Sequence, residues 1–599
     1  KGVNEFRVTY TRVRDFRDHA FEQPPFPQVT VVLTGSTTVV AGTEQFSPRN
    51  ELDQDIIEIN DAFTLLKGQH AITIGTHNEL LDIRNLFIRD NFGTYRFNTI
   101  ELFDQGFAQQ YDRSFSATSD PLQSAAFGVN QWGFYVGDQW YVRPRVTLTY
   151  GLRMDAPQFP DKPNSNPAAL ANFGYATDVV PNGVQWSPRV GVNYTLNETN
   201  TAQIRAGLGI FTGRPAYVWI SNQFGNTGID FTRIGASNNT ANRIPFVADP
   251  LNQPSTVTGA PAGTFFNEVD MIDPDFKYPS ILRGNIGGDT QLPGGMVGVV
   301  DFVWSKTMQD IKYQNLNLVQ LSGVTGVGGR PFFARNKVPT VSDAILLENT
   351  DQGYNWNLSF EARRPFRNGF FASGSYAYGV SKSIMDGTSD QAASNWGNVY
   401  IPATPNDPPL VRSNFDPGHR ITMSGAYDVP MGGQFKTTVS LFYSLQSGRP
   451  YTLTTSSDVN GDVRGTNDLL YIPSSATELI YRNGTAPATY EDFIGLIRDD
   501  DCLSKYIGSI IPRNACRAPW SNTLDGRVAV RLPFGGRVKT EVTLDMLNLI
   551  NLFNSDKGMF EYMSFGQLSL YAPVSSANNT TVSPTQPLIG YNLSSLMAP

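Results

Sequence analysis

The stretch QWGFYVGDQWYVRPRVTLTYGLRMD, residues 131–155, decides the fold class of this chain. In its second half every second side chain from Val146 to Met154 is apolar, while Arg153 and Asp155 fall on the opposite side. A period of two predicts an extended strand with one apolar and one polar face. The first half predicts a second strand. Because proline is not accommodated inside a central ladder, Pro144 predicts a tight reversal between the two strands. The result is a hairpin with charges on its polar face, a pattern typical of strands that line a wet lumen.

Composition narrows the choice of protein class. The 599 residues are 40% hydrophobic, 12% aromatic and only 17% charged, with 54 Gly and 39 Pro, which suits a β-rich protein with long loops. The net charge of −8 disfavours a nucleic-acid partner, which would require a basic patch. No run of 18 apolar residues occurs, so no transmembrane helix is predicted. This does not exclude membrane-spanning strands, since they need only about 9–11 alternating residues.

The same hairpin pattern recurs along the chain, and the connections alternate in length. Tight turns rich in Pro, Gly and Asn, such as 292–295 and 365–369, alternate with polar connections of about 30 to 80 residues. Loops this long are uncommon in a compact soluble domain, whereas short periplasmic turns and long extracellular loops characterise outer-membrane barrels. We therefore predict an all-β, transmembrane, antiparallel up-and-down β-barrel of about 15–16 strands in the bacterial outer membrane.

Charged residues on the strands favour a membrane barrel over a soluble β-propeller or a string of β-sandwich domains. Arg153, Arg205, Arg363 and Lys436 all fall opposite an apolar stripe. A charge facing lipid near mid-bilayer would cost about 2–4 kcal/mol, so these residues are predicted to line the lumen. A propeller would show a repeat of about 40–45 residues, and none is found.

The two cysteines, Cys502 and Cys516, lie in one polar loop segment. Their spacing does not match a redox motif, and a zinc site would need more ligands. A disulfide that closes a surface loop, and hence an oxidising compartment, is the favoured interpretation; two unpaired thiols are the alternative.

Several motifs together resemble one family. FYVGDQWYVRPRVTLTYGLRMD is similar to the barrel signature of TonB-dependent outer-membrane receptors, and WSPRVGVNYTL, RAGLGIFTGRP, FDPGHRITMSGAYDVP and DMLNLINLFN resemble later landmarks of its Oar-like branch. So does SDVNGDVRGTNDLLYIP, which is followed by the cysteine pair. The matches run in order over nearly the whole chain. The resemblance implies a 22-stranded barrel, an N-terminal plug and an inner-membrane TonB complex as energy-coupling partner.

The resemblance also leads us to expect that residues 1–599 are an incomplete barrel domain. The chain opens within a strand, at about the seventh of the family's 22, and its last residues lack the expected aromatic-terminated final strand. We accordingly expect the plug, the first strands and the last strand to lie outside this sequence.

A possible Ca²⁺ loop is the clearest chemical motif. Asp-x-Asn-Gly-Asp places oxygen ligands at positions 1, 3 and 5 of a calcium loop, although the EF-hand glycine and glutamate are missing. An Asx-rich turn without a metal is the alternative interpretation. The candidate ligands are Asp458, Asn460, Asp462, Asn467 and Asp468.

No enzyme motif is present, so no catalytic residue, cofactor-binding residue or enzymatic activity is predicted. The resemblance implies TonB-dependent transport of a large or scarce substrate through a plugged barrel set in outer-membrane lipid. The lumen residues would line the path and hold the plug, and the long loops would capture an extracellular ligand of unknown identity. The alternative function is a surface adhesion, assembly or secretion component, in which the barrel serves only as an anchor.

Overall fold

A computed structural model gives the structure of the chain. It describes residues 1–17, 26–33, 37–199, 201–237, 244–257, 265–325, 327–335, 337–430, 436–455, 458–465, 467–475, 490–532, 540–555, 557–559, 567–573 and 591–592.

Fifteen strands form one antiparallel meander in which each strand pairs with the next along the sheet. They are β1 Gly2–Phe16, β2 Asn50–Lys67, β3 His70–Phe87, β4 Ala125–Arg143, β5 Val146–Gln158, β6 Gln185–Thr195, β7 Ala202–Thr212, β8 Ser280–Leu292, β9 Met296–Asn315, β10 Gly353–Arg367, β11 Phe370–Ser383, β12 Gly418–Val429, β13 Lys436–Gln446, β14 Ser521–Arg531 and β15 Glu541–Met546. The predicted all-β antiparallel fold class and its strand number are confirmed. Within the described ranges, β1 pairs only with β2 and β15 only with β14.

The hairpin of residues 131–155 forms as predicted. β4 and β5 pair in register from Thr147 opposite Tyr141 to Gln158 opposite Asn130, with Pro144 in the turn. The tight connection before it consists of Gly68 and Gln69 alone.

The tight turns have the backbone conformations that their sequences predict. Asn368 and Gly369, between β10 and β11, both have positive φ, at 55° and 75°. This is the combination that a two-residue hairpin turn needs to match the strand twist. The predicted turn at 534–536 lies outside the described residues, as does most of the turn at 430–433.

The two faces of the sheet differ in chemistry. We call the face with the apolar stripe the outer face and the opposite one the inner face. Apolar side chains in mid-strand are well exposed on the outer face, as at Leu208, Ile286 and Val300. Such exposure would be costly in water, and it is expected of strands that meet lipid.

Aromatic side chains concentrate on the outer face. The strand registers place all five tryptophans of the strands on it: Trp132, Trp140, Trp186, Trp304 and Trp356. Near the ends of the strands that carry the long connections, Trp356, Tyr378, His419 and Trp520 follow one another at ring-centroid distances of 5.4, 4.3 and 5.6 Å. Aromatic girdles of this kind mark membrane–water boundaries.

The long connections are not irregular loops, because they contain strands and helices of their own. Asn166 caps the helix Pro167–Phe173 through a side-chain bond from Ala168 N–H, and Gly174 ends it at a φ of 83°. Further helices in these connections are Ile100–Asp104, Tyr217–Gly225, Ala392–Gly397 and Tyr490–Arg498, with 3₁₀ turns at Val327–Gly329 and Leu503–Tyr506. Elsewhere in the described residues, a 3₁₀ turn at Pro293–Gly295 joins β8 to β9, and the helix Leu549–Phe553 follows β15. The strands outside the meander are Gln28–Val32, Thr38–Ala41, Thr94–Phe97, Phe107–Ala108, Gln110–Ser116, Phe231–Ser237, Ile244–Pro245, Phe265–Ile272, Leu318–Thr325, Pro331–Arg335, Val341–Thr350, Val411–Arg412, Pro450–Thr455, Tyr471–Ile472, Ser509–Ile510, Cys516–Arg517, Gln567–Pro573 and Tyr591–Asn592.

These connections fold back onto the inner face and build a core there. Helix Tyr217–Gly225 packs through Ile220 and Phe224 against Phe127, an inner-face residue of β4, and the two phenyl rings stack at 4.3 Å. Trp396, from another connection, is buried in the same cluster. The connections therefore form a packed body, which we call the cap, over one end of the sheet. None of the described helices is long and apolar enough to cross a membrane.

We predict that Ile286→Arg on the outer face of β8 destabilises the protein in lipid vesicles by about 2–4 kcal/mol, because the charge would face hydrocarbon. The neighbouring inner-face substitution Asn285→Arg serves as the control and should cost under about 1 kcal/mol. The measurement is urea unfolding of the full-length protein in vesicles. Equal losses for the two variants would contradict the assignment of the faces.

Candidate functional site

A polar cavity of about 570 Å³ lies inside the cap. Six of the seven long connections contribute to its wall, and only the connection between β5 and β6 does not. The charged side chains in the wall are Arg89, Arg233, Glu268, Asp343, Asp390 and Arg464. A concave site with a few convergent polar groups is the usual form of a ligand pocket.

Ion pairs fix the arginines of the cavity. Arg233 Nη2 lies 3.2 Å from Asp112 Oδ1, and Arg464 Nη2 lies 3.3 Å from Asp343 Oδ1. The Arg464 guanidinium also lies over the ring of Trp396, at 5.4 Å from its centroid. Each pair joins two different connections, so the pairs shape the cavity as well as charging it.

Two carboxyl groups of strand Phe265–Ile272 have raised pKa values: Glu268, which lies in the cavity wall, and Asp270, which does not. Burial and the nearby Asp343 carboxylate raise the pKa of Glu268 to about 7. Burial, together with Glu268, raises the pKa of Asp270 well above its ordinary value. In the described part of the chain, Glu268 Oε1 and Asp270 Oδ1 have no hydrogen-bond partner. A neutral Glu268 could donate a hydrogen bond to a ligand, which a carboxylate cannot do.

The four residues predicted to line the lumen all lie on the inner face. Arg205 bridges two carboxylates of neighbouring strands, with Nη1 2.8 Å from Asp289 Oδ1 and Nη2 2.7 Å from Asp301 Oδ1. Arg153 pairs with Asp155 at 2.7 Å.

Arg363 stands opposite Ser373 of β11, and Lys436 stands opposite Arg531 of β14. The described residues show no ion pair for either of them. The structure does not bring the four predicted lumen residues together into one site, since they are spread over four strands.

The predicted calcium ligands, in contrast, form one cluster, in the connection between β13 and β14. Carboxylate oxygens of Asp458, Asp462 and Asp468 lie within 4.8 Å of one another. Asn460 and Asn467 donate from Nδ2 to Asp462 Oδ2, at 3.2 and 2.7 Å. Burial, with the Asp458 carboxylate beside it, raises the pKa of Asp462 to about 6.

Cys502 and Cys516 form the predicted disulfide in the same connection, with their Cα atoms 5.8 Å apart. The bridge packs against a small buried cluster that includes Leu453, Leu470 and Ile494. The prediction from the sequence is confirmed.

Sequence reasoning missed the cavity. Arg89, Arg233, Glu268 and Asp343 lie in three different connections and in no local motif. Only Arg464 was inside a stretch that the sequence singled out, the Asp/Asn-rich loop, and nothing there indicated that its side chain reaches Asp343.

A larger depression, of about 990 Å³, lies outside the cap and is lined mainly by outer-face residues such as Ile204, Val300 and Phe360. Because its wall is largely apolar and continuous with the stripe expected to meet lipid, the polar cavity is the better candidate site.

We predict that the cap becomes less stable as the pH rises from about 4.5 to 8. Because the pKa of Glu268 is higher in the folded cap than in the unfolded chain, the proton on Glu268 stabilises the folded cap. This stabilisation is complete below the pKa of the unfolded chain, about 4.3, and is lost as the pH rises past the folded-state pKa of about 7. Hydrogen exchange of residues 265–272, corrected for intrinsic rates, should show a fall of the order of 3 kcal/mol in opening free energy.

Glu268→Gln should reduce this pH dependence. The control Glu491→Gln, at an exposed side chain, should leave it intact. An opening free energy that stays constant over this pH range would contradict the prediction.

Comparison with known proteins is consistent with this architecture. Residues 2–579 match the family model described as outer membrane beta barrel domain. No curated protein matches the chain significantly.

Similar solved structures are the outer membrane transporter YddB from Escherichia coli (12% identity, TM-score 0.49), the copper transporter OprC (11%, 0.44) and the siderophore receptor PirA from Acinetobacter baumannii (10%, 0.43). They cover 92%, 91% and 98% of this chain, which in turn spans 57%, 57% and 59% of theirs, so the chain is a little over half their length. The family and these three structures are barrels, transporters and receptors rather than enzymes.

The family match extends over the whole meander with its apolar outer face, and the chain therefore belongs to the outer membrane beta barrel domain family and resides in the bacterial outer membrane.

Proposed function

We propose that the protein is the barrel and extracellular cap of a TonB-dependent transporter of the Oar-like branch, which captures a polar solute in the cap cavity and passes it into the barrel. The observation that carries the proposal is the convergence of six long connections on one polar cavity. The sequence resemblance supports the energy-coupling partner, the inner-membrane TonB complex. The proposal also includes an N-terminal plug that closes the barrel, as the same resemblance implies.

The direction in which the connections fold favours capture over anchoring. An adhesive anchor would present its loops outward as an interaction surface. Here the largest buried cluster joins connections to inner-face residues such as Ile83 and Phe127, and the cavity opens among them. The groups that could bind a solute therefore lie above the lumen rather than on an outward-facing surface.

The inner-face arginines have a role in this proposal. Arg205, held between Asp289 and Asp301, and Arg153, held by Asp155, give the wall fixed charges along the path below the cavity. Arg363 and Lys436 add positive charge on the same face. These residues would hold the plug and guide a polar solute, as inner-wall groups of a water-filled barrel can do.

We predict that filling the cavity abolishes uptake without loss of the barrel. Ser394 lies in the cavity wall on helix Ala392–Gly397, so Ser394→Trp would occupy space that the solute needs. The matched control is Ser165→Trp, an exposed position in the one long connection that does not reach the cavity.

The measurement uses the full-length gene in its own host. Growth of a deletion strain on ferric chelates, cobalamin, oligosaccharides and peptides identifies the substrate, and labelled uptake follows. Uptake should fall at least about tenfold with Ser394→Trp and on deletion of TonB, and should persist with Ser165→Trp. Unchanged growth on every compound, combined with loss of surface attachment, would establish the anchor function instead.

A further inference from the structure

The Asp/Asn cluster between β13 and β14 is the strongest unexplained feature of the cap. Its three carboxylates lie within 4.8 Å of one another, and two of them, Asp462 and Asp468, are almost fully buried. Like charges at this distance in a buried site repel strongly unless a cation balances them or a carboxylate takes up a proton.

We propose that this cluster is a structural Ca²⁺ site, with Asp458, Asp462, Asp468 and the amide oxygen of Asn467 as ligands. The assignment rests on the geometry of the cap and is independent of the transport function proposed above.

Charge balance is the first argument. Arg330 Nη1 lies 3.0 Å from Asp468 Oδ1, and both side chains are almost fully buried. Among the described residues, Arg330 is the one arginine whose guanidinium contacts any of the three carboxylates, and that carboxylate is Asp468. When all three carboxylates are ionised, two negative charges remain, and a divalent cation would match them.

Asn467 supplies a second, independent argument. Its side chain is fully buried, and its Nδ2 lies 2.7 Å from Asp462 Oδ2, so its amide group is inside the cluster. Its Oδ1 has no hydrogen-bond partner among the described residues. A buried amide oxygen without a partner costs about 1–3 kcal/mol, and it is a ligand of the kind that Ca²⁺ accepts.

Size and ligand type favour Ca²⁺ over other ions. Oxygens that bind one Ca²⁺ at 2.3–2.6 Å lie no farther apart than about 5 Å, which the separations within 4.8 Å satisfy. The ligand set contains oxygen alone, whereas zinc prefers nitrogen and sulfur. Mg²⁺ requires near-ideal octahedral geometry at about 2.1 Å, whereas Ca²⁺ accepts irregular oxygen ligand sets.

The loop backbone is bound to two other connections, so an ion here would join three parts of the cap. Asn460 O accepts from Phe333 N–H at 2.6 Å, and Asn467 O accepts from Ile401 N–H at 2.9 Å. Gly461 makes the first approach possible, because at its φ of 82° an added Cβ would collide with Phe333 O.

The site also touches the cavity. Arg464 N–H donates to Asp462 Oδ1 at 2.8 Å, and the side chain of the same residue pairs with Asp343 in the cavity wall. Removal of the ion should therefore release Arg464 and loosen the cavity. Only this link between the ion and the solute cavity rests on the proposed function.

The test is titration of Ca²⁺ into full-length protein purified with chelator into lipopolysaccharide-free detergent, because lipopolysaccharide itself binds divalent cations. Calorimetry should show one Ca²⁺ per chain, with a Kd of about 10⁻⁴ M or tighter. Limited proteolysis should show that Ca²⁺ protects the connections at 316–352, 384–417 and 447–520, while Mg²⁺ at the same concentration does not.

Two variants locate the site. Asp462→Asn should abolish the one-per-chain binding, whereas the control Asp407→Asn, at an exposed position of the cap, should leave it unchanged. If Asp462→Asn does not fold, the Ca²⁺ affinity of Asn467→Asp tests the site instead. The added ligand charge should tighten Ca²⁺ binding at least about fivefold. Absence of one-per-chain binding to the wild-type protein, or an affinity that Asn467→Asp leaves unchanged, would overturn the proposal.

Discussion

A strand inside a bilayer has no water to satisfy its backbone N–H and C=O groups, so each strand must pair with its neighbours over the full membrane thickness. The rest of this structure depends on that constraint. It explains why the fifteen strands form an uninterrupted meander, in which β2 and β3 pair from Asn50–Phe87 to Lys67–His70 without a break. It also explains the two-residue period, because in each strand one face meets lipid and the other meets water or protein.

The constraint ends where the strands leave the membrane, and there the chain uses ordinary globular packing. Inner-face residues at the upper ends of the strands, such as Leu81, Ile83 and Phe127, are apolar and are buried by the connections. Other strands of the sheet carry charges on their inner faces, as at Arg153 of β5 and Arg205 of β7 with their carboxylate partners. The change from charge to apolar packing along the inner face marks the level at which the cap begins.

The cap is held together by contacts between connections far apart in sequence. Arg464 illustrates this arrangement: its backbone belongs to the Asp/Asn cluster, its side chain pairs with Asp343, and Trp396 of a third connection lies beneath its guanidinium. The disulfide closes the same connection a short distance along the chain. Capture of a solute and binding of an ion would therefore act on one packed unit rather than on independent loops.

The sequence by itself determined the strands, their two faces, the tight turns and the disulfide. These features are local. The alternation of apolar and polar residues indicates the two environments of a strand, and residues such as Gly68, Asn368 and Gly369 indicate the positive φ that a tight turn requires. The sequence also singled out the cluster around Asp462, because its ligands lie within eleven residues. Only the tertiary structure decided that the connections fold inward, that Arg233, Glu268 and Arg464 share one cavity, and that Arg330 reaches Asp468. The ion pairs involved, Arg233–Asp112, Arg464–Asp343 and Arg330–Asp468, each join residues more than a hundred positions apart, and no periodicity or motif in a single sequence records such a contact.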